Sequence, residues 1–287
     1  MLNGGLFQKK PYYRFKEFIS PQADRFTLLC SILDDCFLPK QILEIESKRH
    51  ILIGKSMDNF VKGRPIFTAH YDRAPQSPGA NDNGAAVFQL IEAALHFAST
   101  QNDDNALFIF TDGEELSKGQ NLRMQGSYSL GLYLKNSGFG NSPIFTFDAC
   151  GTGDTLIIST ASDELLKNES GRGAETARRK AQSLRRTALE AARRARLEKV
   201  LLLPTPFSED AGFLLSGMTA QTITVLPHNE AALAQNNKNA VFSNADRTLI
   251  PETWRSLNGP GDSPLRLTPE HWKTIPAFAG ALAVGNF

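Results

Sequence analysis

Short apolar runs that alternate with helical patterns limit the fold of this chain more than any other feature. Because strands separated by helices pair into a largely parallel sheet, this alternation predicts an α/β fold. Helices are predicted over residues 83–98 and 268–284, where apolar side chains recur at helical spacing. The predicted strands cover residues 41–46, 49–54, 65–69, 106–111, 143–147, 155–159 and 222–226.

The bulk composition argues against several classes of partner. The 287 residues include 31 basic and 30 acidic side chains, and this net charge of +1 disfavours a nucleic acid or a membrane as partner. Because neither the first residues nor any later segment forms a long enough apolar run, we expect neither a signal peptide nor a membrane span. Its three cysteines lack metal-type spacing, so we expect free thiols and a cytoplasmic location. The length suits a single domain over residues 1–287 and leaves the oligomeric state open.

Two segments stand apart from the α/β pattern. Residues 1–40 form a predicted helical lead-in, and residues 172–199 form a basic helical insertion with ten Lys or Arg against three Glu. The insertion contains no aromatic residue that could stack on bases, so we interpret its charge as a solvated face rather than a nucleic-acid surface. The apolar stripe that this helix would bury consists of Ala181, Leu184, Ala188 and Ala191 or Ala192.

A histidine and an aspartate follow the third predicted strand. Side chains alternate along a strand, so His70 and Asp72 project to one side while Tyr71 points away. A carboxylate that accepts the second N–H of an imidazole fixes its tautomer, and Asp72 can therefore hold His70 as a metal ligand. The alternative is a histidine that is merely hydrogen-bonded at the end of a strand.

Four acidic residues follow or precede other predicted elements. Asp82 lies just before the first long helix, where it can act as an N-cap or turn its carboxylate inward to bridge two cations. Glu114 and Glu115 follow the fourth strand; such neighbouring carboxylates need a cation or a proton unless water solvates them. Asp148 follows the fifth strand. Because α/β sheets place their sites at the carboxyl ends of strands, the joint occurrence of these groups predicts a metal centre.

These segments resemble the M28 family of zinc-dependent exopeptidases, the aminopeptidases with paired zinc ions. The resemblance lies in the order and spacing of HYD, GANDNGA, DGEE and FDACGTGD, followed by SEDAGF and GMT. It implies a three-layer α/β/α fold with a central mixed, mostly parallel sheet of the zinc-exopeptidase, phosphorylase/hydrolase-like type. The implied roles are zinc ligation by His70 and Asp148 at one ion and by Glu115 at the other, bridging by Asp82, general-base catalysis by Glu114, and support of His70 by Asp72.

One position departs from this resemblance. The family's last ligand is a histidine in a His-Thr-x-x-Asp-Thr segment, and Asn258 stands in its place here. An amide oxygen is a poor zinc ligand beside imidazole, although it suits harder cations. His228, close after the last predicted strand, is a candidate replacement, with an ordinary loop histidine as the alternative. The histidines expected to be structural are His50, His96 and His271.

The resemblance implies an aminopeptidase that uses one or two zinc ions to cleave a peptide or aminoacyl substrate. Two alternatives stay open. One is a mononuclear, glutaminyl-cyclase-like acyl transferase, because the HYD and DGEE motifs also resemble those of glutaminyl cyclases. The other is a non-catalytic metal-binding protein that lost its last histidine at Asn258. Glu114 argues against this second alternative, since a site that only binds has no use for a base.

Overall fold

A computed structural model describes residues 5–54, 57, 60–100, 105–243 and 246–285, so residues 1–4 of the predicted lead-in lie outside the described part. Within the described residues, one sheet contains the strands β1 (Lys40–Ile45), β2 (Lys48–Ile53), β3 (Ile66–His70), β4 (Leu107–Thr111), β5 (Ile144–Phe147), β6 (Thr155–Ser159), β7 (Val200–Leu203) and β8 (Ala220–Leu226). The α-helices of the same residues are α1 (Phe15–Phe18), α2 (Arg25–Asp35), α3 (Ala86–Ser99), α4 (Gly126–Leu134), α5 (Ala161–Leu165), α6 (Gly171–Arg194), α7 (Glu209–Leu215), α8 (His228–Asn236), α9 (Glu252–Arg255) and α10 (Thr274–Ala283).

The sheet is mixed and mostly parallel, in the order β1-β2-β4-β3-β5-β8-β6-β7. At its centre, β3 pairs in parallel with β4 and with β5, and β5 pairs in parallel with β8. β6 and β7 are also parallel. The antiparallel pairs are β1 with β2, β2 with β4, and β6 with β8.

Side chains that alternate along the central strands fill two cores on opposite faces of the sheet. On one face, Phe67 and Phe110 belong to a core shared with the N-terminal helices, α3, α6 and α10. On the other face, Ile66 and Ile109 pack with residues of α4 and α7. Because both faces are covered, the central strands are buried throughout and read in sequence as continuous apolar runs. The predicted three-layer α/β/α fold is thereby confirmed.

The predicted strands are all present, with ends displaced by at most two residues. Strand β7 was not predicted, because it is a four-residue edge strand that directly follows a helical pattern. The basic helix α6 is shorter than predicted and ends at Arg194. Its end is set by Arg196, which has a φ of 55°, and by Leu197, whose N–H donates to the Ala192 carbonyl at 3.0 Å. The predicted apolar stripe of α6 is buried at all five positions, Ala181, Leu184, Ala188, Ala191 and Ala192.

Both other predicted helices are interrupted at their N-terminal ends. The first begins as an irregular turn over Ala80–Ala85 before α3 becomes regular. The last is divided into a 3₁₀ turn, Pro269–His271, and α10. All three cysteines are free thiols, as predicted. Across the described ranges, no helix combines the length and apolar character needed to cross a membrane.

Candidate metal centre

The candidate site lies where the carboxyl ends of β3, β4 and β5 meet. His70 is the last residue of β3, and it pairs in register with Thr111, the last residue of β4. Asp148 directly follows β5, which runs parallel to β3 on its other side. Parallel pairing brings these three strand ends to one edge of the sheet, where the sequence predicted a site.

His70 is completely buried among carboxylates. Its Nε2 lies 3.1 Å from Asp82 Oδ1 and 3.7 Å from Asp148 Oδ1, and its Nδ1 lies 3.4 Å from Asp72 Oδ1. Among the described atoms, both ring nitrogens and Asp148 Oδ1 are nevertheless buried without a partner in hydrogen-bond geometry. His70 Nε2 and the carboxylate oxygens of Asp82 and Asp148 thus lie close together without hydrogen bonds between them.

An irregular loop turns Asp82 toward His70. The loop begins at Gly79, whose φ of 58° is left-handed, and Asp82 has non-helical angles of φ −113° and ψ 87°. Asn83 ties the loop to β5, because its Nδ2 donates to the Phe147 carbonyl at 2.8 Å. The Asp82–Asn83 peptide bond is cis. Asp82 is 5% exposed and contacts His70, so the geometry corresponds to the inward-facing alternative and not to an N-cap.

Asp262 supports the Asp82 loop from the C-terminal side, a role that was not predicted. Its carboxylate accepts from the backbone N–H of Asn81 at 2.7 Å and of Asp82 at 3.0 Å. Ser77 Oγ lies 3.4 Å from the same carboxylate. Burial raises the pKa of Asp262 to about 6, and the charge of Asp82 adds to the rise. These backbone contacts fix the direction in which the Asp82 side chain leaves the loop.

Asp72 connects His70 to the two glutamates. Besides lying beside His70 Nδ1, its carboxylate accepts from the backbone N–H of Glu114 at 3.2 Å and of Glu115 at 2.9 Å. Burial would raise the pKa of Asp72, but the His70 imidazole and these two N–H groups lower it below its usual value. An ionised Asp72 can therefore orient the ring and the turn that carries both glutamates.

Glu114 and Glu115 differ in their contacts. Glu114 Oε1 accepts from Gln125 Nε2 at 3.1 Å, which holds the carboxylate in place. Burial raises the pKa of Glu114 well above its usual value, and the charges of Asp148 and Asp82 add to this against the opposing effect of His70. Burial also raises the pKa of Glu115 to about 8, with a further contribution from Asp82. Such mutually repelling carboxylates are stable in their ionised form only beside a positive charge.

The donor set fits a zinc ion. One ligand atom each from His70, Asp82 and Asp148 lies within 4.8 Å of the others, and imidazole nitrogen with carboxylate oxygen is a combination that zinc accepts. An imidazole that ligates a metal usually has a carboxylate at its other nitrogen, and Asp72 occupies that position. The buried atoms of His70 and Asp148 that lack partners would gain one in a cation.

The two candidates for the remaining ligand are placed differently. Asn258 contacts Asp82 and Glu115 through its side-chain amide. His228 is exposed at the first residue of α8 and is not among the described residues that form the ion-binding group. In this structure Asn258, and not His228, occupies the position beside the second half of the site.

Two further buried charges near the site were not predicted. Glu209 accepts from Thr111 Oγ1 and lies 3.4 Å from Thr68 Oγ1, and burial raises its pKa to about 7. Arg25 donates to the backbone carbonyls of Tyr71, Asp72, Pro78 and Gly79 at 2.8–3.3 Å. The sequence could have indicated that Arg25 is buried, because it shares one face of α2 with Leu28, Leu29 and Ile32. A charge on an apolar helix face needs an internal partner.

Substitution of Arg25 by methionine is expected to lower the free energy of unfolding by about 2–4 kcal/mol, because four carbonyl groups lose a charged donor. Urea unfolding followed by circular dichroism measures the change. Arg73→Met is the matched control, since the Arg73 guanidinium donates to the Pro21 carbonyl in an exposed contact. Equal stability of the two variants would contradict the clamp that Arg25 forms on the 71–79 segment.

Comparison with known proteins finds peptidases among the relatives of this chain. The model of peptidase family M28 matches residues 53–198. Aminopeptidase YwaD of Bacillus subtilis (strain 168) is 47% identical over 49 residues, which make up 17% of this chain and 11% of that protein. The chain thus matches only a small part of the length of this curated relative.

Two solved structures resemble the chain over nearly its whole length. A leucine aminopeptidase precursor from Bacteroides thetaiotaomicron VPI-5482 has a TM-score of 0.67 at 15% identity, covering 96% of this chain and 94% of that one. A Bacteroides thetaiotaomicron glutaminyl cyclase bound to N-acetylhistamine has a TM-score of 0.68 at 16% identity, covering 96% and 95%. At these identities the likeness establishes a common fold.

Proposed function

The chain belongs to peptidase family M28, and from this premise we propose that it is a zinc-dependent aminopeptidase. His70, Asp82 and Asp148 bind the ion, and Glu114 is the general base. The observation that carries the proposal is that one ligand atom each from His70, Asp82 and Asp148 lies within 4.8 Å of the others, where the parallel strands β3 and β5 end. Such proximity is expected of metal ligands and is costly without a cation.

The chemistry follows from the positions of the chain's own carboxylates. His70, Asp82 and Asp148 would hold a zinc ion, which would lower the pKa of a water molecule toward about 7 and polarise a carbonyl group. Glu114 accepts the proton that the attacking water loses and returns it to the amine that leaves. Gln125 Nε2, 3.1 Å from Glu114 Oε1, keeps the base in one orientation through both transfers.

The charge of the site favours the amino end of a peptide over its carboxyl end. Asp148, Glu114 and Glu115 are only partly buried and therefore border the open side of the site. A free ammonium group complements these carboxylates, whereas a terminal carboxylate would be repelled by them. This preference supports an exopeptidase that acts on N-terminal residues of peptides or on aminoacyl compounds.

Removal of metal is expected to abolish hydrolysis of aminoacyl amides, because without the ion nothing at the three ligands would activate the attacking water or polarise the scissile carbonyl. The test is a panel of aminoacyl 4-nitroanilides assayed before and after dialysis against a chelator, followed by addition of zinc. Recovery of activity on zinc addition is the expected result. Activity that a chelator does not change would contradict the metal mechanism.

A second candidate is intramolecular acyl transfer of the glutaminyl-cyclase kind. The observation that favours it is the match of a glutaminyl cyclase structure to 96% of this chain at a TM-score of 0.68. In this reaction the α-amine of an N-terminal glutamine attacks its own side-chain amide and ammonia leaves. Mass spectrometry of a peptide with N-terminal glutamine separates the two candidates, because cyclisation retains the residue and hydrolysis removes it. Metal binding without either product would indicate a non-catalytic binding protein.

A further inference from the structure

We propose that the centre holds a single divalent ion at His70, Asp82 and Asp148, and that the side-chain amide of Asn258 takes the place of a second ion between Asp82 and Glu115. The inference rests on the proposed metal centre but not on peptidase turnover. It concerns which half of the site is occupied, and hence the role of Glu115.

The contacts of Asn258 support a donor at this position. With its nitrogen toward the carboxylates, the amide donates to Glu115 Oε2 at 2.8 Å and to Asp82 Oδ2 at 3.1 Å, and it also contacts Glu115 Oε1. In the opposite orientation the amide oxygen would face acceptors alone. Only the nitrogen-inward orientation gives each group a complementary partner. The amide thereby supplies the positive end of a dipole where a second cation would supply charge.

The two oxygens of Asp82 divide between the two halves of the site. Oδ1 lies 3.1 Å from His70 Nε2, on the side of the ligand group that fits zinc. Oδ2 faces the Asn258 amide. A carboxylate that would bridge two ions in a paired centre thus bridges one ion and one amide here. The arrangement satisfies both Asp82 oxygens with a single metal.

The chain around Asn258 holds the amide in this position. Asn258 has a left-handed φ of 61°, a conformation that asparagine adopts more readily than most residues. Four residues later, Asp262 accepts from the backbone N–H groups of Asn81 and Asp82. The Asp262 N–H in turn donates to the Gly259 carbonyl at 3.1 Å. The loop that carries the amide is therefore bonded to the loop that carries the carboxylate it satisfies.

The other histidines of the chain lie outside this half of the site. His50 is buried and accepts from the Asp112 N–H at 3.3 Å. His96, His228 and His271 are exposed on α3, at the start of α8 and at the end of the 3₁₀ turn before α10. Without an imidazole beside Asp82 Oδ2 and Glu115, this half has no nitrogen ligand of the kind zinc favours.

Metal stoichiometry of the full-length protein tests the inference. Protein freed of metal with a chelator is titrated with zinc in a calorimeter, and the zinc that remains after gel filtration is measured by mass spectrometry. We expect one equivalent for the wild type and two for Asn258→His, because the variant restores a nitrogen ligand and histidine also tolerates a left-handed φ. Asn258→Asp, which has nearly the same shape, is expected to gain a second equivalent through its charge.

Four outcomes would overturn the inference. Two tightly bound zinc equivalents in the wild type would contradict it while leaving the metal centre intact. A second equivalent of Mn²⁺ in the wild type would mean that the amide oxygen turns inward to a harder cation. Loss of one equivalent in His228→Ala would assign the missing ligand to that histidine. A wild type that binds no ion would contradict the metal centre itself, and activity assays would then fail as well.

Discussion

Replacement of Glu114 by glutamine is expected to lower kcat by a factor of roughly 10²–10⁴, the usual contribution of a positioned acid–base group. The amide of glutamine has nearly the shape of the carboxylate, so the contact with Gln125 can persist while the ability to accept a proton is lost. KM and zinc content are expected to stay close to wild type. Steady-state kinetics on the best aminoacyl amide, with zinc analysis of the same sample, measures all three quantities.

Two controls sharpen this result. Glu198→Gln changes an exposed glutamate beyond the end of α6 and should leave kcat unchanged. Gln125→Leu removes the donor to Glu114 without changing the base itself, so its loss in kcat should disappear when Glu114 is already glutamine. A fully active Glu114→Gln protein would show that another group accepts the proton.

The second large effect is expected on removal of the imidazole. His70→Ala should lower zinc affinity by more than the roughly 10–100-fold that loss of an outer hydrogen-bond partner costs, because a ligand itself is lost. Turnover is expected to fall with metal occupancy. Competition with a chromogenic chelator measures the affinity, and circular dichroism confirms that the variant is folded.

Asp72→Asn is expected to lower zinc affinity less than His70→Ala does. Asp72 lies beside His70 Nδ1 and accepts from the Glu114 and Glu115 N–H groups, so its loss should cost affinity within the 10–100-fold range of an outer partner. Asp148→Asn keeps the volume of a ligand but removes its charge, and it guards against a folding defect in His70→Ala. If His70→Ala bound zinc as tightly as Asp72→Asn, His70 would not be a ligand.

The sequence predicted those site residues that lie at the ends of strands. His70 and Asp148 end or follow apolar runs, and parallel pairing of those runs brings them together without further information. The roles of Glu114 and Asp72 stay predictions, although their backbone contact is in the structure. The same reasoning makes His228 only a candidate beside an ordinary loop histidine, because it follows β8 closely but a strand end does not determine which way the next helix turns its first side chain.

The sequence-based prediction differs from the structure at β7 and at the start of α3, where the local pattern of apolar residues does not determine the backbone conformation. β7 has only four residues at the edge of the sheet, so no long apolar run marks it. The helix predicted from residue 83 becomes regular only at Ala86, because Asn83 has non-helical angles and its side chain bonds to the Phe147 carbonyl. In both places tertiary contacts overrule the preference of the local sequence.

The sequence alone determined the α/β order of elements and placed the histidine and the acidic residues at strand ends, because hydrophobic periodicity is a local property and parallel pairing brings the carboxyl ends of strands to one edge of the sheet. Tertiary structure decided which distant loops complete the centre. Asp262 meets the Asp82 N–H across 180 residues, and Arg25 meets Gly79 across 54. It also decided that Asn258 faces Asp82 and Glu115. Such contacts depend on how loops are packed in space, and residue spacing along the chain does not encode that.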